Sequence, residues 1–314
     1  MTAVLASIEK VAIQLDEHRK TRIKNSPVDF EAYMEAREDD KALVKAAEDF
    51  REGLHDEFAG AEVLGGLSLP WSKLHDKFRI RRGELTLWTG FNGHMKSMVT
   101  GYVMLELMRQ GEKVCVASFE MKPQKTLKRM ASQAIGTCNP TTLYVDKFLD
   151  SVTGKLWIYN QQGETTPERV IGVITYCAEQ LGITQFIVDS LMKVIRDEDD
   201  YNAQKRFIGS LHALARDLNV HIHLVTHSRK REDENKRPGK QDNKGSGSIV
   251  DQTDNFVAVF KIPKKPDVDD TGPDFCLYFD KQRHGEWEGN LALWFDSSCL
   301  QFKESPHDPR RCFV

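Results

Sequence analysis

The sequence predicts an α/β fold: a mostly parallel sheet flanked by helices, with an antiparallel C-terminal extension and a short helical N-terminal region. Three observations predict it. From Glu84 onward short apolar runs alternate with helical stretches, the pattern of strands joined by crossover helices. One run leads into a glycine-bearing loop that ends in Lys96 and Ser97, the strand–loop–helix setting that a phosphate site requires. Beyond residue 255 three apolar runs follow one another, as in an antiparallel extension of the sheet.

The expected strands are 85–88, 114–119, 156–159, 186–188 and 222–226, followed by 255–261, 275–281 and 291–295 in the extension. Helices are expected to begin near Ser97, Lys122, Pro167 (capped by Thr166) and Asp200. Ahead of the sheet, Val4, Ile8, Val11, Ala12 and Leu15 fall on one helical face. A second helix opens with Ser26 as N-cap, Pro27 in the first turn and Asp29 near the positive end of the dipole, and its later stripe is Leu43, Ala47, Phe50 and Leu54. Two readings of this front end stand: helices packed on their own core, or a linker helix that docks on a neighbouring subunit. The expected division is 1–60 as helical extension, 61–304 as the α/β domain and 305–314 as a tail.

A chain of 314 residues with 40% hydrophobic content is long enough to bury a substantial core. It lacks an apolar run of membrane-spanning length, and its start lacks the order of a secretory signal, so no membrane role and a cytoplasmic location are expected. Six cysteines occur without a CxxC pair, against both a disulfide framework and a zinc ribbon. The net charge of −3 argues against a general nucleic-acid coat but leaves room for a local basic surface.

Gly90, Phe91, Asn92, Gly93, His94, Met95, Lys96 and Ser97 form the candidate phosphate loop. Such a loop aims backbone N–H groups and a helix N-terminus at the phosphates. Lys96 would neutralise the β- and γ-phosphates and the Ser97 hydroxyl would coordinate magnesium. The pattern GxxxxGK[ST] has glycine before the lysine, where this chain has Met95. A side chain there bears on backbone angles and on close phosphate approach, so a catalytically weakened site is a reading that stands beside an active one.

Glu120 follows the next expected strand, where a carboxylate can orient and deprotonate a water attacking the γ-phosphate. Phe186, Ile187, Val188 and Asp189 are an apolar strand ending in an acid, the Walker B arrangement in which Asp189 holds the magnesium shell. His221, His223 and His227 raise a metal site as an alternative, but no cysteine or carboxylate partner stands at ligand spacing. Arg229, Lys230, Arg231, Lys236, Arg237, Lys240 and Lys244, followed by Gly245 and Ser246, make a basic, glycine-bearing loop. It suits the backbone of a single strand, or is a solvated loop. A second candidate loop, 193–200, is acidic and reads rather as solvated surface.

The segment Ser118, Phe119, Glu120, Met121 is similar to the SLEM segment of DnaB-type helicases, and GSGSIVDQTDNFVAVFK is similar to their channel-lining motif. With motif order included, the chain from about Gly65 through Phe302 resembles the RecA-like motor of the DnaB and Twinkle-like phage replicative helicases. The resemblance implies Glu120 as catalytic base and His227 as the residue that reports the γ-phosphate. It also implies Lys281 and Arg283 of the KQR segment as a lysine and an arginine finger acting on a neighbouring subunit's nucleotide. ATP or another NTP with magnesium, single-stranded DNA and a homo-oligomeric, hexameric ring follow as expectations. With no zinc-binding cysteine cluster and too few residues before Gly65 for a primase domain, a primase would be a separate partner. Two alternatives remain: a DNA-stimulated ATPase of recombination or repair without processive unwinding, and a weakened DNA-binding ring because of Met95.

Overall fold

Every residue of the strand Leu85–Thr89 is buried, a pattern that arises when helices cover both faces of a sheet. The computed structural model describes residues 46–51, 54, 55, 58, 65–195, 197, 200–228, 237, 239, 247–264 and 271–314. The predicted front end, 1–60, lies for the most part outside them, with Ala47–Phe50 forming a 3-10 turn.

Two short strands, β1 (Leu67–Ser68) and β2 (Arg79–Ile80), pair antiparallel ahead of the main sheet. The chain then runs β3 (Leu85–Thr89), α1 (Lys96–Arg109), β4 (Val114–Ser118), α2 (Pro123–Ile135), α3 (Thr142–Val152), β5 (Leu156–Ile158), α4 (Pro167–Leu181) and β6 (Gln185–Asp189). It continues α5 (Leu191–Val194), α6 (Tyr201–Asp217), β7 (His221–Val225), α7 (Gly247–Gln252), β8 (Asn255–Lys261), β9 (Phe275–Gln282), β10 (Gly289–Asp296) and β11 (Gln301–Lys303). The nine-stranded sheet has the order β11-β10-β9-β8-β3-β7-β6-β4-β5. From β8 to β5 neighbours pair in parallel, and β9, β10 and β11 pair antiparallel.

Local chemistry sets the helix starts. Thr166 caps α4 by accepting a hydrogen bond from Arg169 N–H at 3.4 Å, with Pro167 in the first turn. Asp200 caps α6 through Ala203 N–H at 2.8 Å. The central helix α1 is buried almost all round and packs, with Trp71, Trp88, Phe275, Phe279 and Phe302, into the main core. Each such side chain stabilises the fold by about 1.5–3 kcal/mol. The last residues pack back on this core, Phe313 N–H donating to Ala134 O at 2.9 Å and Arg311 pairing with Glu106 at 3.4 Å.

The five strands expected before residue 230 fall within one residue of expectation, whereas the short pair β1 and β2 is absent from it. One expectation is corrected: residues 255–261, expected to open the antiparallel extension, run parallel to β3 with Asn255 opposite Thr86. The long connection after β7 carries the chain back to the start of the sheet, and such a crossover yields parallel pairing. The extension therefore starts at β9. The helix α3, absent from the expectation, buries Phe148 alone among its residues, so its apolar stripe gives a weak periodic signal.

A candidate nucleotide-binding cleft

The loop that leaves β3 is shaped by contact with β8. A Cβ on Gly90 would meet Val259 O at 2.4 Å, so only glycine lets these backbones approach so closely. Met95, at the position where the pattern expects glycine, takes the left-handed conformation at φ 57 and ψ 27. The methionine adopts the angles glycine would supply, at a cost of about 1–2 kcal/mol, and its partly buried side chain rests on the apolar core. His94 accepts a hydrogen bond from Lys261 N–H at 3.1 Å and stands edge-on to Phe91 at 5.3 Å, which joins the loop tip to the end of β8.

Beyond the loop opens a cleft of about 1080 Å³ lined by Asn92, Gly93, Met95, Lys96, Ser97, Glu120, Asp189 and His227. Met98, Phe119, Arg129, Gln162, Gly163, Met192 and Lys193 complete its wall. Lys96, 5% exposed, turns its ammonium onto Gly90 O at 2.9 Å and Phe91 O at 3.0 Å. It also lies 3.2 Å from His227 Nδ1. Burial lowers this lysine to about 8, against the pull of Asp189 and Glu120.

Glu120 stands at the tip of β4. His227 Nε2 lies 3.6 Å from its Oε1, and Ser190 Oγ donates to the same oxygen at 2.9 Å. His227 first, then Ser190 and Lys193, hold the carboxyl down at about 2 against its partial burial. Asp189 is 5% exposed, and burial raises it above the usual carboxylate range while a Ser97 hydrogen bond opposes that rise. The Ser97 hydroxyl and the Asp189 carboxylate are hard oxygen donors side by side at the phosphate end of the cleft. They fit magnesium, which takes few protein ligands and fills its shell with phosphate and water.

The cleft thus gathers Lys96, Ser97, Glu120, Asp189 and His227 from the ends of β3, β4, β6 and β7, the carboxyl edge at which open α/β sheets place ligands. Lys281 and Arg283 are not brought there. Gln282 lies opposite Asn255, and Asn255 opposite Thr86, so this segment stands roughly 13 Å along the strand direction from the phosphate loop. Lys281 Nζ donates to Val250 O at 2.7 Å and Asp251 O at 3.0 Å, while Arg283 pairs with the buried Asp254 at 3.3 Å. Of the predicted basic loop, Arg237 is described: it makes two hydrogen bonds to Asp280, at 2.8 and 3.0 Å, and lies over the Tyr278 ring at 4.4 Å. Arg229, Lys230, Arg231, Lys236, Lys240, Lys244, Gly245 and Ser246 fall outside the described residues.

His221 and His223 lie inside the sheet, not with His227. His221 Nε2 is 2.9 Å from Thr86 Oγ1, and His223 Nδ1 accepts from Trp88 Nε1 at 3.1 Å. Among the described residues no group of three or more His, Cys, Asp or Glu side chains could hold a metal ion. No described helix is long and apolar enough to cross a membrane. Sequence reasoning missed Ser190, Arg129 and Gln162, and placed Lys193 in the acidic loop rather than in the cleft. For Ser190 the signal is its place directly after Asp189, and for Arg129 its place on the helix after Glu120; Gln162 carries none.

Comparison with known proteins gives the same architecture. A solved structure of an ATPase domain superposes with a TM-score of 0.69 at 15% identity, over 83% of this chain and 99% of that one. A DnaB-like replicative helicase, from a structure describing its interactions with primase, gives 0.69 at 15% identity over 94% of this chain and 75% of that one. At this identity the shared property is the fold, a mostly parallel sheet flanked by helices. The AAA domain model matches residues 72–233, more than half of the sequence, and the chain belongs to that family.

Proposed function

We infer that this protein is a nucleoside-triphosphate-driven motor of the DnaB helicase type, which moves along single-stranded DNA as a hexameric ring during replication. The observation that carries the reading is the convergence of Lys96, Ser97, Glu120, Asp189 and His227 on one cleft of nucleotide size. On binding, Lys96 exchanges the carbonyls of Gly90 and Phe91 for the β- and γ-phosphates, and the N–H groups at the start of α1 face the same oxygens. Magnesium, held by Ser97 and through the shell that Asp189 orders, supplies charge neutralisation when bound. A carboxylate held near 2 is a weak base; the part of Glu120 is therefore to orient and polarise the attacking water. His227 joins Glu120 to the phosphate-binding lysine and so reports nucleotide state.

Lys281 and Arg283, remote from the cleft of their own chain, serve the nucleotide of a neighbouring subunit. The basic loop 229–246 contacts DNA phosphates, a separate primase is a partner, and the work is cytoplasmic. The division of the chain is 1–60 as extension, 61–304 as motor and 305–314 as tail. The deciding experiment is nucleotide hydrolysis with and without single-stranded DNA for wild type, Lys96→Ala and Glu120→Gln. DNA-stimulated turnover that both changes abolish is expected. Absence of turnover in wild type would remove the motor reading, and turnover without strand displacement would move it to a DNA-stimulated repair ATPase.

A further inference from the structure

The backbone around Glu120 is held from two sides. Toward β6, Phe119 N–H donates to Asp189 O at 2.8 Å while Ser190 Oγ donates to the Glu120 carboxylate at 2.9 Å. On the other side runs the connection from β5 to α4. There Gly163 N–H donates to Phe119 O at 2.9 Å and Gln162 Nε2 donates to Met121 O at 3.2 Å. The carbonyls immediately before and after Glu120 are thus both taken by two consecutive residues of one loop. The same loop is tied to α5, since Thr165 N–H donates to Lys193 O at 2.9 Å. Thr165 is 6% exposed.

These bonds close a ring. Glu120 is linked to Ser190, which precedes α5; α5 is linked through Lys193 to Thr165; Gln162 and Gly163 return to the carbonyls that flank Glu120. Gln162 is an exposed side chain on the cleft wall, so its amide bond answers no demand of core packing. Its effect falls on the main chain that carries the carboxylate. Placement there is sensitive, because a shift of about 1 Å at a reacting group costs on the order of a hundredfold in rate.

We propose that the β5–α4 connection is a positioning device for Glu120, with Gln162 as its positioning residue and the Thr165–Lys193 bond making the carboxylate's placement follow α5. This rests on the reading of Glu120 as the group that orients water. Movement of α5 then adjusts hydrolysis through the placement of Glu120.

The test uses the full chain with ATP and magnesium. Gln162→Met keeps side-chain length and removes the amide donor, whereas Gln162→Lys keeps a donor. Expected for Gln162→Met are a kcat lower by about tenfold, an unchanged KM and thermal midpoint, and faster hydrogen exchange of the amides of residues 119–122; Gln162→Lys recovers most of kcat. Unchanged exchange at 119–122 overturns the proposal whatever kcat does, and faster exchange with wild-type kcat overturns it as well. If the wild type shows no turnover, the reading of Glu120 fails. Exchange then decides separately whether this connection holds that backbone.

Discussion

The Lys96 ammonium lies 3.2 Å from Nδ1 of His227. An ammonium has protons to give and no lone pair, so the imidazole accepts at Nδ1 and carries its proton on Nε2. That nitrogen is the one 3.6 Å from Glu120. One ring therefore connects Lys96 with Glu120, and each depends on the tautomer that the other selects.

His227→Ala should reduce kcat by roughly ten- to a hundredfold. It should also move the acid limb of the pH profile. His227 is the largest influence holding Glu120 near 2, against its ordinary 4.5, so without it the carboxyl is protonated at higher pH. Activity of the variant falls as pH drops through about 4.5, where the wild-type carboxylate is still ionised. The measurement is kcat/KM from pH 4 to 8, and coincident acid limbs would contradict the pairing.

A second pH effect comes from Lys96 itself. Its burial lowers it to about 8 from 10.5, so in the nucleotide-free protein the ammonium is lost as pH rises through about 8. Nucleotide affinity should therefore fall in that window, well below where an exposed lysine would titrate. Fluorescent-nucleotide titrations between pH 7 and 9.5 should show this alkaline limb in wild type and none in Lys96→Ala.

Met95 already holds the left-handed backbone that the proposed phosphate loop calls for. Met95→Gly should relieve about 1–2 kcal/mol of conformational cost and forfeit a similar amount of partly buried apolar contact. The thermal midpoint should move by no more than a few degrees, and turnover should stay within about twofold of wild type. A tenfold rise in kcat/KM would mean that the methionine side chain, not the backbone, limits the site.

What could be read from residues alone follows from where the information lies. Lys96, Glu120 and Asp189 each end or follow a short apolar strand, so local pattern locates them and the parallel sheet brings their ends together. Ser190 and Gln162 act through contacts that exist only once β4, β5 and β6 stand side by side, and no spacing along the chain encodes that. The orientation of residues 255–261 departs from expectation for a like reason. Asn255–Lys261 has the same apolar pattern whichever way it runs, and its direction is decided by the connection that delivers it.

Arg283 is paired with Asp254, which is 1% exposed and also accepts from Leu85 N–H at 2.8 Å and contacts His212 at 3.0 Å. The guanidinium is thus anchored at the edge of β9, too far from its own phosphate loop to act there. If it acts on a neighbouring subunit, Arg283→Ala should bind nucleotide like wild type yet lose turnover by about a thousandfold, as expected for removal of an arginine finger. Mixing decides the matter. Arg283→Ala retains an intact cleft and Lys96→Ala an intact finger, so equimolar mixed assemblies should recover a measurable part of the turnover that each variant lacks alone. Circular dichroism of each variant should first show a native fold, since breaking a buried pair costs roughly 3–5 kcal/mol. Recovery places Arg283 in the partner's site; no recovery from two folded, assembling variants would assign its role to holding Asp254 within its own chain.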